Sequence, residues 1–344
     1  MQKLAATKMR LIKHVQDDCG TDLNPGMQYV MARRLPIVLI LFTLALTALS
    51  SPNLSSTEAR ARALPIPKYL QARGVQYLFA SGTSNFAGSP DFRVANIVNG
   101  ARRLDGKVIE PGAIFDFNKA VGGITEQTGF VLGYIIKNGT LEKDVGGGIC
   151  QVSTTIFRAA YFGGLPIVER NWHSYRVHYY DPIGLEATVF EPWKNFKFRN
   201  DTGTPLYIRA FWNVRRKWLT FNLYGPRPDR STWVSKATIT RTVPPGAQRF
   251  ISDDKTRFGR TRLIDTAQPG FDLYVTRVVT FNTGRKLRDT ARSIYQPWGQ
   301  IWGVHPQDKR LLVQQALAKT QPKKTEAINT VGLKGTPVVV TLIP

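Results

Sequence analysis

Gly146-Gly147-Gly148-Ile149-Cys150-Gln151-Val152-Ser153 is the stretch from which the rest of the chain can be read. Three consecutive glycines interrupt whatever precedes them. Apolar residues then recur at Ile149, Val152, Ile156, Ala159 and Ala160, and this three-and-four spacing predicts a helix with one apolar face. Gly163, Gly164 and Pro166 end it. Upstream, 93–104 reads as a second helix with Val94, Ile97 and Val98 on one face, stopped by Gly106. Short runs at 75–80, 167–170, 175–180, 187–190, 196–199, 206–211 and 219–224 read as strands. The stretch 108–136 reads as strands broken by Gly112, Gly122, Gly123, Gly129 and Gly133.

The expected fold is α+β: twisted β-sheets packed by the helix that starts at the Gly-rich Cys motif, followed by a small β-rich module. That module rests on runs at 238–243, 262–264, 274–280 and 293–302. The expected organisation is an N-terminal extension with a signal peptide or anchor over 1–50 and a linker over 51–78. The main domain follows over 79–230, then the β-rich module over 231–306. A polar, basic tail with one helix near 309–317 occupies 307–344.

The chain has 344 residues, 42% of them hydrophobic and 21% charged, which reads as globular rather than disordered. A formal net charge of +23 calls for an anionic partner: nucleic acid, a membrane surface or an acidic wall polymer. The targeting segment chooses among them. Arg33 and Arg34 precede the apolar run 35–49, which suits a signal peptide and falls short of the ~20 residues that cross a bilayer. Ala48-Leu49-Ser50 fits small-x-small cleavage after Ser50. Met27 and Met31 offer more ordinary starts for an exported protein, so Cys19 and His14 carry no functional weight. An extracytoplasmic location, secreted or anchored at the cell envelope, excludes nucleic acid. It leaves anionic wall polymer or the membrane surface as counter-charge.

The chain has two cysteines, Cys19 and Cys150, so the exported part keeps one. It is inert, paired with another chain, or reactive. With only His173, His178 and His305 beside it, a structural zinc site is not expected, and no cofactor is implied. A thiol in the first turn of a helix meets unpaired N–H groups and the positive end of the helix dipole. Both favour the thiolate and offer an oxyanion site, and Gly147, Gly148, Gln151 and Ser153 are the candidates to form it. A nucleophilic thiol needs a base. His173 is preferred to His178, because in a strand over 174–180 the two would face opposite sides. Asp181, Glu186 and Glu169 are candidates to orient the imidazole. Arg170 and Arg176 are candidates to bind a substrate carboxylate.

Several longer motifs join this one. Pro111-Gly112-Ala113-Ile114-Phe115-Asp116-Phe117-Asn118, then Val121-Gly122, Gly129-Phe130, the Gly146–Thr155 stretch and Val168-Glu169-Arg170-Asn171-Trp172-His173-Ser174 resemble the VanW family in order and spacing. So do Gly184-Leu185-Glu186-Ala187-Thr188-Val189 and Lys197-Phe198-Arg199-Asn200, and the resemblance covers about 79–212. Asp116 and Glu186 stand where the family more often has Ser and Asp. The stretch 275–304 resembles small β accessory modules that follow such domains. The resemblance implies a bacterial envelope protein whose members include L,D-transpeptidase-like enzymes. In these the equivalent of Cys150, with a histidine at the place of His173, forms a thioester with peptidoglycan stem peptides. The alternatives are a non-catalytic wall-polymer-binding protein and a cysteine peptidoglycan hydrolase.

Overall fold

The computed structural model describes residues 68–72, 75–137, 140–320 and 341–343. The apolar run 35–49 and the small-x-small site after it lie outside the described residues. A helical turn, α1 (Lys68–Gln71), leads into β1 (Tyr77–Asn85) and α2 (Asp91–Leu104). Then come β2 (Val108–Ile109), β3 (Ile114–Asp116) and the short α3 (Phe117–Val121). The hairpin β4 (Leu132–Lys137) and β5 (Thr140–Val145) precedes α4 (Ile149–Phe162). After α4 run β6 (Ile167–Glu169), β7 (Lys197–Arg199), β8 (Leu206–Asn213) and β9 (Trp218–Gly225).

The main antiparallel sheet has the order β1-β9-β8-β2, and a smaller one has the order β3-β7-β6. In β8 the sequence alternation places Leu206, Ile208 and Ala210 inward. The fold is α+β, as expected.

Helix α4 differs from its expected one-sided form. Of its 14 residues, only Cys150 and Phe162 are not buried. A helix buried all round must satisfy every polar side chain it carries. Ser153 donates to Ala187 O at 2.6 Å, and Thr155 Oγ1 lies 2.6 Å from both Gln151 O and Ser84 Oγ. Arg158 donates to the carbonyls of Thr83, Tyr180, Asp181 and Leu185. The helix approaches β1 closely because residue 82 is glycine. A Cβ there would stand 2.3 Å from Ala159 N and 2.4 Å from Thr155 O.

The remaining strands are β10 (Arg230–Val234), β11 (Thr238–Val243), β12 (Arg249–Ser252), β13 (Thr261–Asp265), β14 (Gly270–Phe281), β15 (Lys286–Tyr295), β16 (Ile301–Val304) and β17 (Thr341–Ile343). One sheet has the order β10-β14-β15-β17, with β11 also on β14. Another has β16 between β12, which is parallel to it, and β13, which is antiparallel. A final helix is α5 (Lys309–Thr320). The core does not stop at residue 230: Val234, Val275 and Ala291 pack in the same cluster as Ile156 and Phe157 of α4. Arg277 of β14, in a buried pair with Asp289, donates to Tyr161 O and Leu165 O at 2.9 and 3.0 Å. It thereby satisfies carbonyls at the C-terminal end of α4, where positive charge is favourable.

Two expected strands are not formed. The stretch 175–180 is irregular and ends in a 3-10 turn, His178–Tyr180: Val177 O and His178 O accept from the turn's own amides and Tyr180 O from the Arg158 side chain, not from a neighbouring strand. The stretch 187–190 makes single contacts instead of a ladder: Thr188 N–H donates to Asn171 O, and Phe190 forms an isolated bridge with Lys194.

Gly82→Ala is expected to destabilise the fold by at least about 2 kcal/mol, since the added methyl meets backbone and not a movable side chain. Gly123→Ala, where the nearest atom is 4.0 Å away, is the control. Equal urea midpoints for the two variants would show that α4 can shift off β1 at little cost.

Candidate functional site

Cys150 sits in the first turn of α4, partly exposed at the edge of the core. The turn before it is tightly fixed. Gly148, the N-cap, has φ 115°, and a Cβ there would lie 2.9 Å from Arg93 Cγ and 3.0 Å from Arg93 O. Only glycine suits this position. Asn96 Nδ2 holds Gly147 O at 3.0 Å. No side chain caps the helix. The Ile149 and Gln151 amides donate to Gly146 O and Gly148 O at 3.0 and 2.9 Å.

The thiol donates to Val189 O at 3.6 Å and lies 3.5 Å from Thr188 Oγ1. It is one rung in a series by which α4 holds the segment 187–189, the others being Ser153 and Thr154 on Ala187. A thiol that donates is protonated, so the contact to Val189 O must break before Cys150 can act as a thiolate.

His173 makes no hydrogen bond to Cys150. Its ring stacks on Tyr180 with centroids 4.3 Å apart. The residue is only partly buried, yet both ring nitrogens are shielded from solvent and bonded to nothing among the described residues. Burial, reinforced by Lys194, Arg170 and Arg93, holds the imidazole pKa down to about 3. His173 is therefore a neutral base at ordinary pH and not the cation of a thiolate–imidazolium pair.

Several expected roles need correction. Gln151 and Ser153 cannot serve an oxyanion through their side chains: both are fully buried. Gln151 is engaged by Arg93 Nη2 and Asn85 O, and Ser153 by Ala187 O. Arg170 is no substrate ligand. It is 4% exposed, and its donors go to Gly184 O, Glu186, Arg292 O and Ser293 Oγ. Glu186 is not free to orient His173, since it pairs with Arg170 and accepts from the Tyr295 hydroxyl at 2.7 Å. Asp181 is exposed and pairs with Arg176 at 3.1 Å, and Glu169 pairs with Lys197 at 3.0 Å. Arg176 does line a narrow cleft with His173, Tyr180, Glu186 and Tyr295, and its Nε is shielded and unbonded. His178 is exposed against Tyr179.

Two groups near the thiol went unread in the sequence. Arg93 is buried, donates to Ser89 Oγ at 2.6 Å and Gln151 Oε1 at 2.9 Å, and lies over the Tyr179 ring at 4.1 Å. Its signal was present: Arg93, Ile97, Ala101 and Leu104 share the buried face of α2. Lys194 follows the exposed Trp193 in a turn with no periodicity to betray it. Burial lowers its pKa, and the nearby Cys150 acts in the opposite sense. No group of three or more His, Cys, Asp or Glu among the described residues is arranged to hold a metal ion.

The state of His173 has a stability consequence. The unfolded chain protonates a histidine near its ordinary value of about 6.5, while the folded chain resists down to about 3. This contribution is fully present above the unfolded value and is lost as pH falls from there toward 3. Between pH 7 and pH 4 it should remove on the order of 2–3 kcal/mol. His173→Gln should flatten the decline in urea-derived unfolding free energy; parallel pH profiles for the two proteins would contradict the shift.

Residues 92–224 match the family described as VanW like protein. Over 125 residues the chain is 42% identical to the uncharacterized protein YoaR of Bacillus subtilis, spanning 36% of this chain and 41% of that relative. Over 115 residues it is 33% identical to the vancomycin B-type resistance protein VanW of Enterococcus faecalis, spanning 32% of this chain and 42% of that one. The chain thus spans about two fifths of the length of each of these relatives. The matched span runs from α2 to β9 and contains α4, Cys150 and His173. Residues 92–224 are thus the part of the chain that is similar to the VanW family.

Proposed function

We propose that this protein is an extracytoplasmic cysteine acyltransferase of L,D-transpeptidase type acting on peptidoglycan stem peptides. The observation that carries the reading is the position of Cys150: a partly exposed thiol in the uncapped first turn of a buried helix, behind a rigid glycine turn. The positive end of the helix dipole faces that turn, a place where negative charge is favourable. His173, neutral and with both ring nitrogens unbonded among the described residues, is the candidate base, and the burial that holds its pKa down to about 3 must be relieved before it can take the thiol proton. The similarity to a vancomycin B-type resistance protein supports a role at the cell wall. The basic residues and apolar run at 33–49, together with the +23 charge, support export and an anionic surface as neighbour, either wall polymer or membrane.

In the reaction, the Cys150 sulfur bonds to the carbonyl carbon before the terminal D-residue, the C–N bond to that residue breaks, and it leaves as a free amino acid with the thiol proton on its amine, so that a thioester remains. An amine from a neighbouring stem then resolves it. The segment 187–189 must yield slightly for the thiol to leave Val189 O. A second reading has its own observation. The S–H donation to Val189 O and the lack of a Cys150–His173 hydrogen bond suit a thiol that only fixes the segment 187–189, in a non-catalytic wall-binding protein.

The deciding measurement is intact mass of the full chain after incubation with a disaccharide-tetrapeptide and excess D-methionine. A thioester adduct, with exchange of the terminal residue, is expected for the wild type and should vanish in Cys150→Ala. Adduct with tripeptide release and no exchange would mean a hydrolase. Folded protein that gives neither adduct nor product would favour the binding reading.

A further inference from the structure

Five polar side-chain atoms among the described residues are shielded from solvent and bonded to nothing, and four of them lie at one seam. They are both ring nitrogens of His173, Arg176 Nε and Trp298 Nε1. The seam is where the irregular stretch after His173 meets the end of β15 and the residues that follow it. Gln296 N–H donates to Ser174 O at 2.7 Å, and the Tyr175 ring meets Trp298 edge-on with centroids 4.8 Å apart. His173, Tyr175, Arg176, Tyr180, Glu186 and Tyr295 line the cleft beneath, which is too narrow to hold a water molecule. Shielded polar groups are normally satisfied, so a cluster of four that are not marks a closed arrangement held at a cost.

The two sides of the seam are unequally fixed. Trp298 is 6% exposed, exchanges two backbone hydrogen bonds with Gln268 at 3.0 and 2.8 Å, and carries the Arg249 guanidinium over its ring. Tyr295 is held by Glu186 and by the Gly184 amide. The facing stretch is loose by comparison. Thr188 N–H fastens Asn171 O, and Arg158 fastens Tyr180 O and Asp181 O. Between these points, among the described residues, the Gln296–Ser174 bond is the one backbone hydrogen bond that ties 172–177 to another part of the chain. A segment anchored at both ends and held in the middle by one bond and one ring contact opens locally far more readily than the core beside it.

We propose that residues 172–177 form a strap that closes over His173, latched by Gln296 and Trp298, and that the closed strap is an autoinhibited state of the site. In the closed form Cys150 donates to Val189 O and makes no hydrogen bond to His173. Releasing the latch lets the stretch lift between its anchors at Asn171 and Tyr180. That wets the nitrogens of His173 and Arg176 and frees the imidazole to turn toward the thiol. The opening is a property of the fold; that it controls a base rests on the acyltransfer reading. Both latch residues lie beyond residue 224, outside the span that matches the VanW family, so control of the site comes from the β-rich stretch that follows it.

The test is carbethoxylation of the full chain by diethyl pyrocarbonate, read by peptide mass. The reagent needs a neutral imidazole nitrogen that it can reach, and His173 is neutral. His178, exposed on the same stretch, is the internal standard. In the wild type His173 should react about tenfold more slowly than His178. Tyr175→Ala removes the ring contact without touching the β-rich stretch and should raise the His173 rate about tenfold. Trp298→Ala should do the same, and Trp298→Phe, which keeps a ring against Tyr175, should preserve protection. Amide exchange of α4 in the same samples should stay unchanged, since the opening is local. A wild-type His173 that reacts as fast as His178 would overturn the strap. So would continued protection in both alanine variants, or α4 amides that speed up in step with His173. In the terminal-residue exchange assay, Tyr175→Ala should turn over several-fold faster than the wild type; a slower variant whose His173 labels faster would overturn the autoinhibition. Labelling that responds as expected in a chain with no exchange activity keeps the latch and overturns the acyltransfer reading alone.

Discussion

The guanidinium of Arg158 leaves the middle of α4 and gives hydrogen bonds to four carbonyls, those of Thr83, Tyr180, Asp181 and Leu185, at 2.7 to 3.1 Å. It is buried so deeply that its pKa falls to about 10, which still leaves it charged at neutral pH. One side chain therefore fastens β1, the 3-10 turn and the segment 183–186 to the same helix. Without it, those carbonyls would be buried and unpaired, and the irregular stretch 174–186 would have no reason to stay where it is. His173 owes its stacking on Tyr180 to this fastening, and so does the shielding of its ring. The chemistry near Cys150 thus rests on a charge in the centre of the helix rather than on contacts at its end.

How much of this was legible depended on whether a residue's role was local. The helix from Ile149 to Phe162 and its stop at Gly163 follow from spacing and glycine, and the alternation of Leu206, Ile208 and Ala210 gives β8 directly. Burial of α4 on all sides did not follow, because Thr154, Thr155 and Arg158 read as solvent-facing until their distant partners are known. Likewise 175–180 has the composition of a strand, but its last residues close into a turn whose Tyr180 carbonyl is held by a side chain from α4. At the site, Cys150 and His173 were readable from residue type and family motif. Arg93 was not, since two of its partners, Gln151 and Tyr179, come from distant parts of the chain. The arginines that did attract notice, Arg170 and Arg176, lie next to His173 in sequence, and adjacency proved a poor guide to what faces the thiol.

Cys150 has two neighbourhoods with opposed demands. Toward the core it behaves as one more rung holding 187–189, with its proton on Val189 O. On its other side lies Lys194, whose ammonium a negative charge on the sulfur would favour. Resting protonation would protect a lone thiol from oxidation, since the thiolate is the reactive species.

Arg277 reaches across from β14 to the last carbonyls of α4, and Tyr295 and Ser293 of β15 close around Glu186 and Arg170. The span that matches the VanW family ends at residue 224, before Arg277, Ser293 and Tyr295. Sequence similarity and mechanical integrity therefore part company here. A gene fragment cut at the edge of the shared region would encode a helix with its far end unsatisfied and two buried ions stripped of neighbours.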